Sequence, residues 1–178
     1  MIENNPLIDI TKEFARVIEW TPAWSYGAPL PQIFSNGHKT YLAYFIDAPD
    51  PNWDGSYTTM VDSKSDNTCL LAIVTFIRPN SHRFGIVNDE AVGGHPLYEK
   101  GLQVYSAHVI ENSSWIEELK TMHKVHPCYS NKHWDNYKHF LLFFHDEIFE
   151  VIAEGYKIET YKTTFKDVGI EIAKRLNS

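Results

Sequence analysis

A chain of 178 residues, 43 % hydrophobic and 14 % aromatic, is long enough to bury a core of ordinary domain size, and its aromatic content favours strands. Its formal net charge is −7, with no Lys/Arg run longer than Lys174-Arg175. The basic stripe that a phosphate backbone needs is therefore missing, which argues against nucleic acid as a partner. No stretch approaches the roughly 20 apolar residues of a membrane span, and the start Met1-Ile2-Glu3-Asn4-Asn5 has no signal-peptide pattern. Two cysteines, Cys69 and Cys128, suggest neither a disulfide framework nor a Cys-x-x-Cys zinc site. The plain expectation is a cytoplasmic protein, off the membrane, with both cysteines as packing residues.

In chain order, Ile10, Phe14, Val17 and Ile18 recur at helical spacing behind Asp9, an N-cap type, and predict an N-terminal helix ending near Trp20, before Thr21-Pro22. An aromatic, Pro-rich connector follows over 24–31, then a strand over 41–46 and a loop over 48–56. Residues 57–61 and 69–77 read as the arms of a hairpin. The second arm is apolar on both faces, as in a central strand covered on both sides. From Pro79-Asn80 the chain has little regular period until a strand over 104–110. Ser114, with Glu117 three residues on, predicts a capped middle helix with Trp115, Leu119 and Met122 on its core face, ended by His126-Pro127.

Residues 128–138 read as a loop. Strands follow over 140–144 and 148–153, joined by a tight turn at His145-Asp146-Glu147, and Gly155 reads as a bulge before a strand over 156–161. Thr164 and Asp167 cap a closing helix over 163–177, with Phe165, Val168, Ile172 and Leu176 along one face. The fold class is thus α+β: one β-dominated domain over 1–178, an antiparallel sheet or sandwich with N-terminal, middle and C-terminal helices.

Eight of the nine histidines lie between His82 and His145, among carboxylates, aromatics and turn residues. Such side chains move protons and hold ligands near neutral pH. Asn88-Asp89-Glu90 with His95 and Tyr98 lies in an irregular, glycine-rich stretch, where loops on a rigid sheet concentrate binding groups. The plainer account is an Asx-turn and a satisfied imidazole. His145 and Asp146, at a hairpin end, could reach a cleft that Glu150 joins from the next strand; turn chemistry is the alternative. The ligand-binding candidates are therefore Asp89, Glu90, His95, Tyr98, His145, Asp146 and Glu150, with His95, His145 and Glu150 expected to face one pocket.

His123, His126 and Cys128 offer zinc-type ligands but lack a fourth at a recognisable spacing. H-E-x-x-H, G-x-S-x-G, G-x-G-x-x-G and G-x-x-x-x-G-K are all absent, so no metal, cofactor or catalytic residue is assigned. Ser113-Ser114 reads as a helix cap rather than a nucleophile. Of the loop aromatics, which include Trp20, Trp24, Tyr26, Trp53 and Tyr57, two are expected to face a ligand.

The string Phe84-Gly85 with Asn88-Asp89-Glu90-Ala91, Gly94-His95-Pro96-Leu97-Tyr98, Asn112-Ser113-Ser114-Trp115-Ile116, Val125-His126-Pro127 and Phe144-His145-Asp146 with Phe149-Glu150 resembles a bacterial family of uncharacterised conserved proteins. The likeness spans about 82–155. Val87 departs from its pattern, standing where the family tends to have proline, and so does the less acidic stretch around His108 and Ile110. The resemblance implies one shared architecture for the His/carboxylate segments and a more variable part over 1–80. It brings no activity.

Taken together, these features suggest a small-ligand-binding module with a polar His/carboxylate/aromatic pocket, suited to a nucleotide or sugar derivative. The alternatives are a metal-dependent or acid/base hydrolase or lyase using the same residues, and a protein-interaction or inhibitor module.

Overall fold

In a computed structural model of the chain, residues 13–47, 64, 66–85 and 87–178 are described. Among the described residues, nine strands and two α-helices run in the order β1 (Phe14–Ile18), β2 (Gln32–Ser35), β3 (Thr40–Phe45), β4 (Cys69–Ile77), β5 (Ser81–Gly85), β6 (Ala107–Glu111), α1 (Ser114–His123), β7 (Lys138–Phe143), β8 (Ile148–Ala153), β9 (Gly155–Thr163) and α2 (Phe165–Leu176). The strands form two antiparallel sheets, ordered β1-β6-β7-β8-β5 and β2-β3-β4-β9. The α+β, β-dominated class expected from the sequence is what the structure has.

Period-2 alternation builds the core between the sheets. Leu42, Tyr44, Ala72, Val74 and Phe76 of the four-stranded sheet meet Val109, Phe140, Leu142, Phe149 and Val151 of the five-stranded one in a single cluster. The opposite face of β3 and β4 gives Tyr41, Ala43, Leu71 and Ile73, which α2 covers with Phe165, Val168 and Ile172. Two-sided burial is why β4 reads as continuously apolar. The helix α2 starts where Thr164 Oγ1 accepts the Asp167 amide at 3.1 Å, the cap expected from the sequence.

The sheets share a corner. The chain passes from β4 to β5 through Arg78, at φ 47°, and from β8 to β9 through Glu154. The two crossings are tied by Glu154 N–H to Ile77 O at 3.0 Å, Asn80 N–H to Ile152 O at 2.8 Å and the Arg78–Glu154 ion pair at 2.5 Å.

Several expectations are corrected. Residues 14–18 form an edge strand paired with β6 (Phe14 opposite Glu111 through Ile18 opposite Ala107), not a helix. Apolar residues three and four apart also suit a strand when Ala15 is buried beneath Leu97 and Leu102 and Phe14 and Val17 stay exposed, and cross-strand pairing overrides local propensity. Asp9 and Ile10 lie outside the described residues.

The cap of α1 is Ser113, whose Oγ accepts the Ile116 amide at 3.2 Å, one residue earlier than expected. Trp115 and Leu119 are buried, but Met122, in the last turn, is exposed. Gly155, expected as a bulge, pairs opposite Ile77 as the first residue of β9. Cys128 is exposed rather than packed. The loop over 48–56, the hairpin arm over 57–61, Trp53 and Tyr57 lie outside the described residues; both edges of β4 are taken, by β3 and β9.

Candidate functional site

The outward face of the five-stranded sheet positions the chemistry. The segment from Val87 to Tyr105 crosses this face and buries Leu97 and Leu102 on Ala15, Ile110, Leu141, Phe143 and Ile148. Beside it α1 and a short 3-10 helix, Asn131–Trp134, bury Trp115, Leu119 and Trp134 on Ile152. The seam between these two apolar clusters is polar. His139 lies there, in register with Ile110 on one side and Ile152 on the other. Glu150 is its diagonal neighbour on β8, opposite Arg83 of β5.

A chain of hydrogen bonds runs along the seam. The Ile116 amide donates to Ser113 Oγ at 3.2 Å, Ser113 Oγ is 2.8 Å from His139 Nδ1, and His139 Nε2 is 2.8 Å from Glu150 Oε2. When Ser113 Oγ–H donates to Nδ1 and Nε2–H donates to the carboxylate, every group in the line is satisfied, as buried polar groups require. Trp115 and His139 meet edge-to-face, with ring centroids 5.1 Å apart, and Trp115 carries the Arg83 guanidinium 3.9 Å from its ring centroid. Arg83 also reaches Glu118 at 3.5 Å.

Burial pushes the Glu150 carboxyl up, but the His139 hydrogen bond, with the fields of His139, Arg83 and His95, outweighs it and holds Glu150 below the ordinary carboxylate range. His95 approaches this group from the covering segment. Burial lowers its pKa, Glu150 opposes that, and His139 adds to it, so the neutral form of the ring is favoured. Its Nδ1 accepts the Leu97 amide at 3.2 Å, which leaves the proton on Nε2. The seam thus offers a carboxylate acceptor, an imidazole N–H donor and a guanidinium within one electrostatic group.

A second cluster forms at the β7–β8 turn. Asn88 caps the 3-10 helix Asp89–Gly94 by accepting the Ala91 amide, and the Asp89 amide donates to His145 O at 3.2 Å. The Tyr105 hydroxyl donates to Asp89. That bond lowers the Asp89 carboxyl against an opposing effect of burial, and together with burial it raises the Tyr105 phenol to about 12. His145 Nδ1 meets Asp146 Oδ1 at 2.9 Å, and this contact is the first cause of its raised pKa.

The candidates therefore separate into two groups: His95 with Glu150, and Asp89 with His145 and Asp146. The contacts tie His95 to Glu150 through their mutual electrostatic effect and Asp89 to His145 through a backbone hydrogen bond. Glu90 and Tyr98 are exposed. Sequence reasoning passed over His139, Arg83, Ser113 and Tyr105. The one available signal was that His139 directly precedes the apolar run of β7, the strand paired with that of Glu150. Among the described residues no three His, Cys, Asp or Glu side chains converge as a metal ion would need. His123 and His126 bond backbone groups, Leu119 O and the Cys128 amide.

The order Ser113–His139–Glu150 is that of a nucleophile triad, but its surroundings are not. Ser113 is buried and its oxygen already caps α1. The next amide, Ser114 N–H, would be an oxyanion donor in such a site. Here it and the Ser114 hydroxyl are held by Glu13 Oε1, at 2.7 and 2.8 Å. The Ser113 oxygen and the Ser114 amide are thus both engaged within the fold.

Fold and site together define an α+β chain of two antiparallel sheets with a polar seam on one outer face. No protein-family model, curated protein or solved structure matches it, so the resemblance over 82–155 rests on its motifs. Among the described residues no helix is long and apolar enough to cross a membrane.

Proposed function

We propose that the chain is a cytoplasmic small-ligand-binding module and that its site is the seam at Glu150, His95 and Arg83. The observation that carries this reading is Glu150: an ionised carboxylate, partly buried, held by a relay of three groups and flanked by a neutral imidazole. Maintaining a desolvated charge costs stability, and a site that must accept hydrogen bonds from a ligand repays that cost. An acceptor-only carboxylate beside an N–H donor suits vicinal hydroxyls, as on a sugar or the ribose of a nucleotide, and Arg83 suits an anionic substituent. The overall charge of −7 favours a compact ligand over a nucleic acid.

The test is a thermal-shift and calorimetric panel of monosaccharides, nucleosides, nucleotides and sugar phosphates on the wild type and on Glu150→Gln. The amide keeps the size and removes the charge. A ligand of this class should stabilise the wild type with saturable dependence on concentration and lose at least tenfold in affinity with Glu150→Gln. Equal affinity for both chains would place the ligand elsewhere and end this assignment.

A further inference from the structure

A cavity of about 130 Å³ opens beside Tyr105, away from the Glu150 seam, and four aromatic side chains line it: Trp20, Trp24, Tyr26 and Tyr105. Each is held in place. The Trp20 indole donates to Tyr44 OH at 2.9 Å and lies 4.2 Å from the Tyr156 ring. Trp24 bridges Ile46 and packs on Phe144 at 4.6 Å. Tyr105 stands at φ 55°, a conformation that bulky residues adopt only when their surroundings impose it, and its ring centroid lies 5.6 Å from that of Tyr26. Tyr26 is 61 % exposed at the mouth.

The electrostatics point one way. Aromatic faces carry partial negative charge, and the Tyr105 hydroxyl donates a hydrogen bond to the Asp89 carboxylate, which holds an anionic group against that ring. Asp146 adds a second negative charge acting on Tyr105, the His145 ring centroid lies 5.8 Å from that of Tyr105, and no Lys or Arg is among the residues lining the cavity. Its volume is close to the roughly 150 Å³ of an apolar cavity that admits benzene, so it suits a compact head group and not a fused ring system.

We propose that this pocket is an aromatic cage for a quaternary ammonium group, the chemistry for which stacked aromatics at a negative site are used. It is independent of the seam at Glu150, and either reading can fail without the other.

The experiment titrates choline, and separately its uncharged carbon isostere 3,3-dimethylbutan-1-ol, into the full chain, read by tryptophan fluorescence and calorimetry. Choline should bind saturably, and the isostere at least tenfold more weakly. Tyr26→Ala, at an exposed position that the fold tolerates, should weaken choline at least tenfold. Tyr105→Phe keeps the ring and should keep most of the binding, whereas Tyr105→Leu should lose it. Sedimentation with phosphatidylcholine vesicles would place the head group on a lipid, and binding of free choline alone would make it a solute; both support the cage. Equal binding of choline and the isostere, no choline binding by the folded wild type, or indifference to Tyr26→Ala would overturn it.

Discussion

His108 gives the chain a built-in sensitivity to acid that one substitution should remove. The side chain is fully buried on the outward face of β6, opposite Val17 and Leu141. Its Nε2 accepts the Gln103 amide at 3.1 Å, so the neutral ring carries its proton on Nδ1, a buried atom that finds no partner within hydrogen-bond geometry. Burial depresses its pKa from 6.5 to about 4, and the neighbouring Leu141 and Ser106 carbonyls recover only part of that.

Above pH 6.5 the ring is neutral whether the chain is folded or not, and it contributes nothing to the pH dependence of stability. As the pH falls below 6.5 the unfolded chain takes up the proton while the folded chain resists until about pH 4. Stability is therefore lost across that window at about 1.4 kcal/mol per unit, close to about 3 kcal/mol in all. That is a large share of the roughly 5–15 kcal/mol that holds a domain folded. In His108→Gln the amide oxygen takes over from Nε2 and cannot be protonated. Urea unfolding at several pH values between 7.5 and 4 should show the variant gaining on the wild type by about 3 kcal/mol as acid is added. Parallel stability curves for the two proteins would refute the argument.

Other expectations follow from single contacts. Ser113→Ala removes the cap of α1 and the partner of His139 Nδ1 together, and should cost about 2–3 kcal/mol in chemical denaturation; a loss within the error of the measurement would show that the relay is not structural. Gly101→Ala places a Cβ 2.7 Å from the Ala15 carbonyl oxygen at φ 91°. It should destabilise by more than the roughly 1–3 kcal/mol of left-handed strain alone, visible as a lowered melting temperature. Asp146→Asn removes the first cause of the raised His145 pKa and should bring that ring back toward 6.5 in an NMR titration; an unchanged midpoint would mean that Asp89 and Glu147 hold it instead.

Legibility in the sequence tracked burial on both sides. Leu71 to Val74 and Phe140 to Phe144 sit beneath two layers or at the centre of a sheet, so their strands read directly from unbroken apolar runs. Thr164 with Asp167 announced α2 because a cap is a local hydrogen bond between neighbours in sequence. The edge strands β2 and β5 were hidden, since Gln32, Ser35, Ser81, His82 and Arg83 carry polar side chains where a sheet meets solvent. In β1, Phe14, Val17 and Ile18 fitted a helical stripe equally well, and only pairing with β6 decides between the two.

At the site, Glu150 and His95 were legible as residue types in turn-rich surroundings. Their meeting depends on the register that sets Glu150 opposite Arg83 and on Leu97 anchoring the covering segment, and no local pattern encodes either. His139 was masked by the apolar run that it opens, and Ser113 by its plain role as a cap. Tyr105 owes its place to a left-handed backbone that residue type does not announce.

The most direct test of the central assignment is calorimetric titration of the tightest-binding sugar or nucleotide from the panel into the wild type and Glu150→Gln, side by side at pH 7. The account predicts saturable binding to the wild type and at least a tenfold loss, about 1.4 kcal/mol or more, in the variant, with the variant's fold intact by circular dichroism. No binder in the panel, or a binder indifferent to Glu150→Gln, would contradict it.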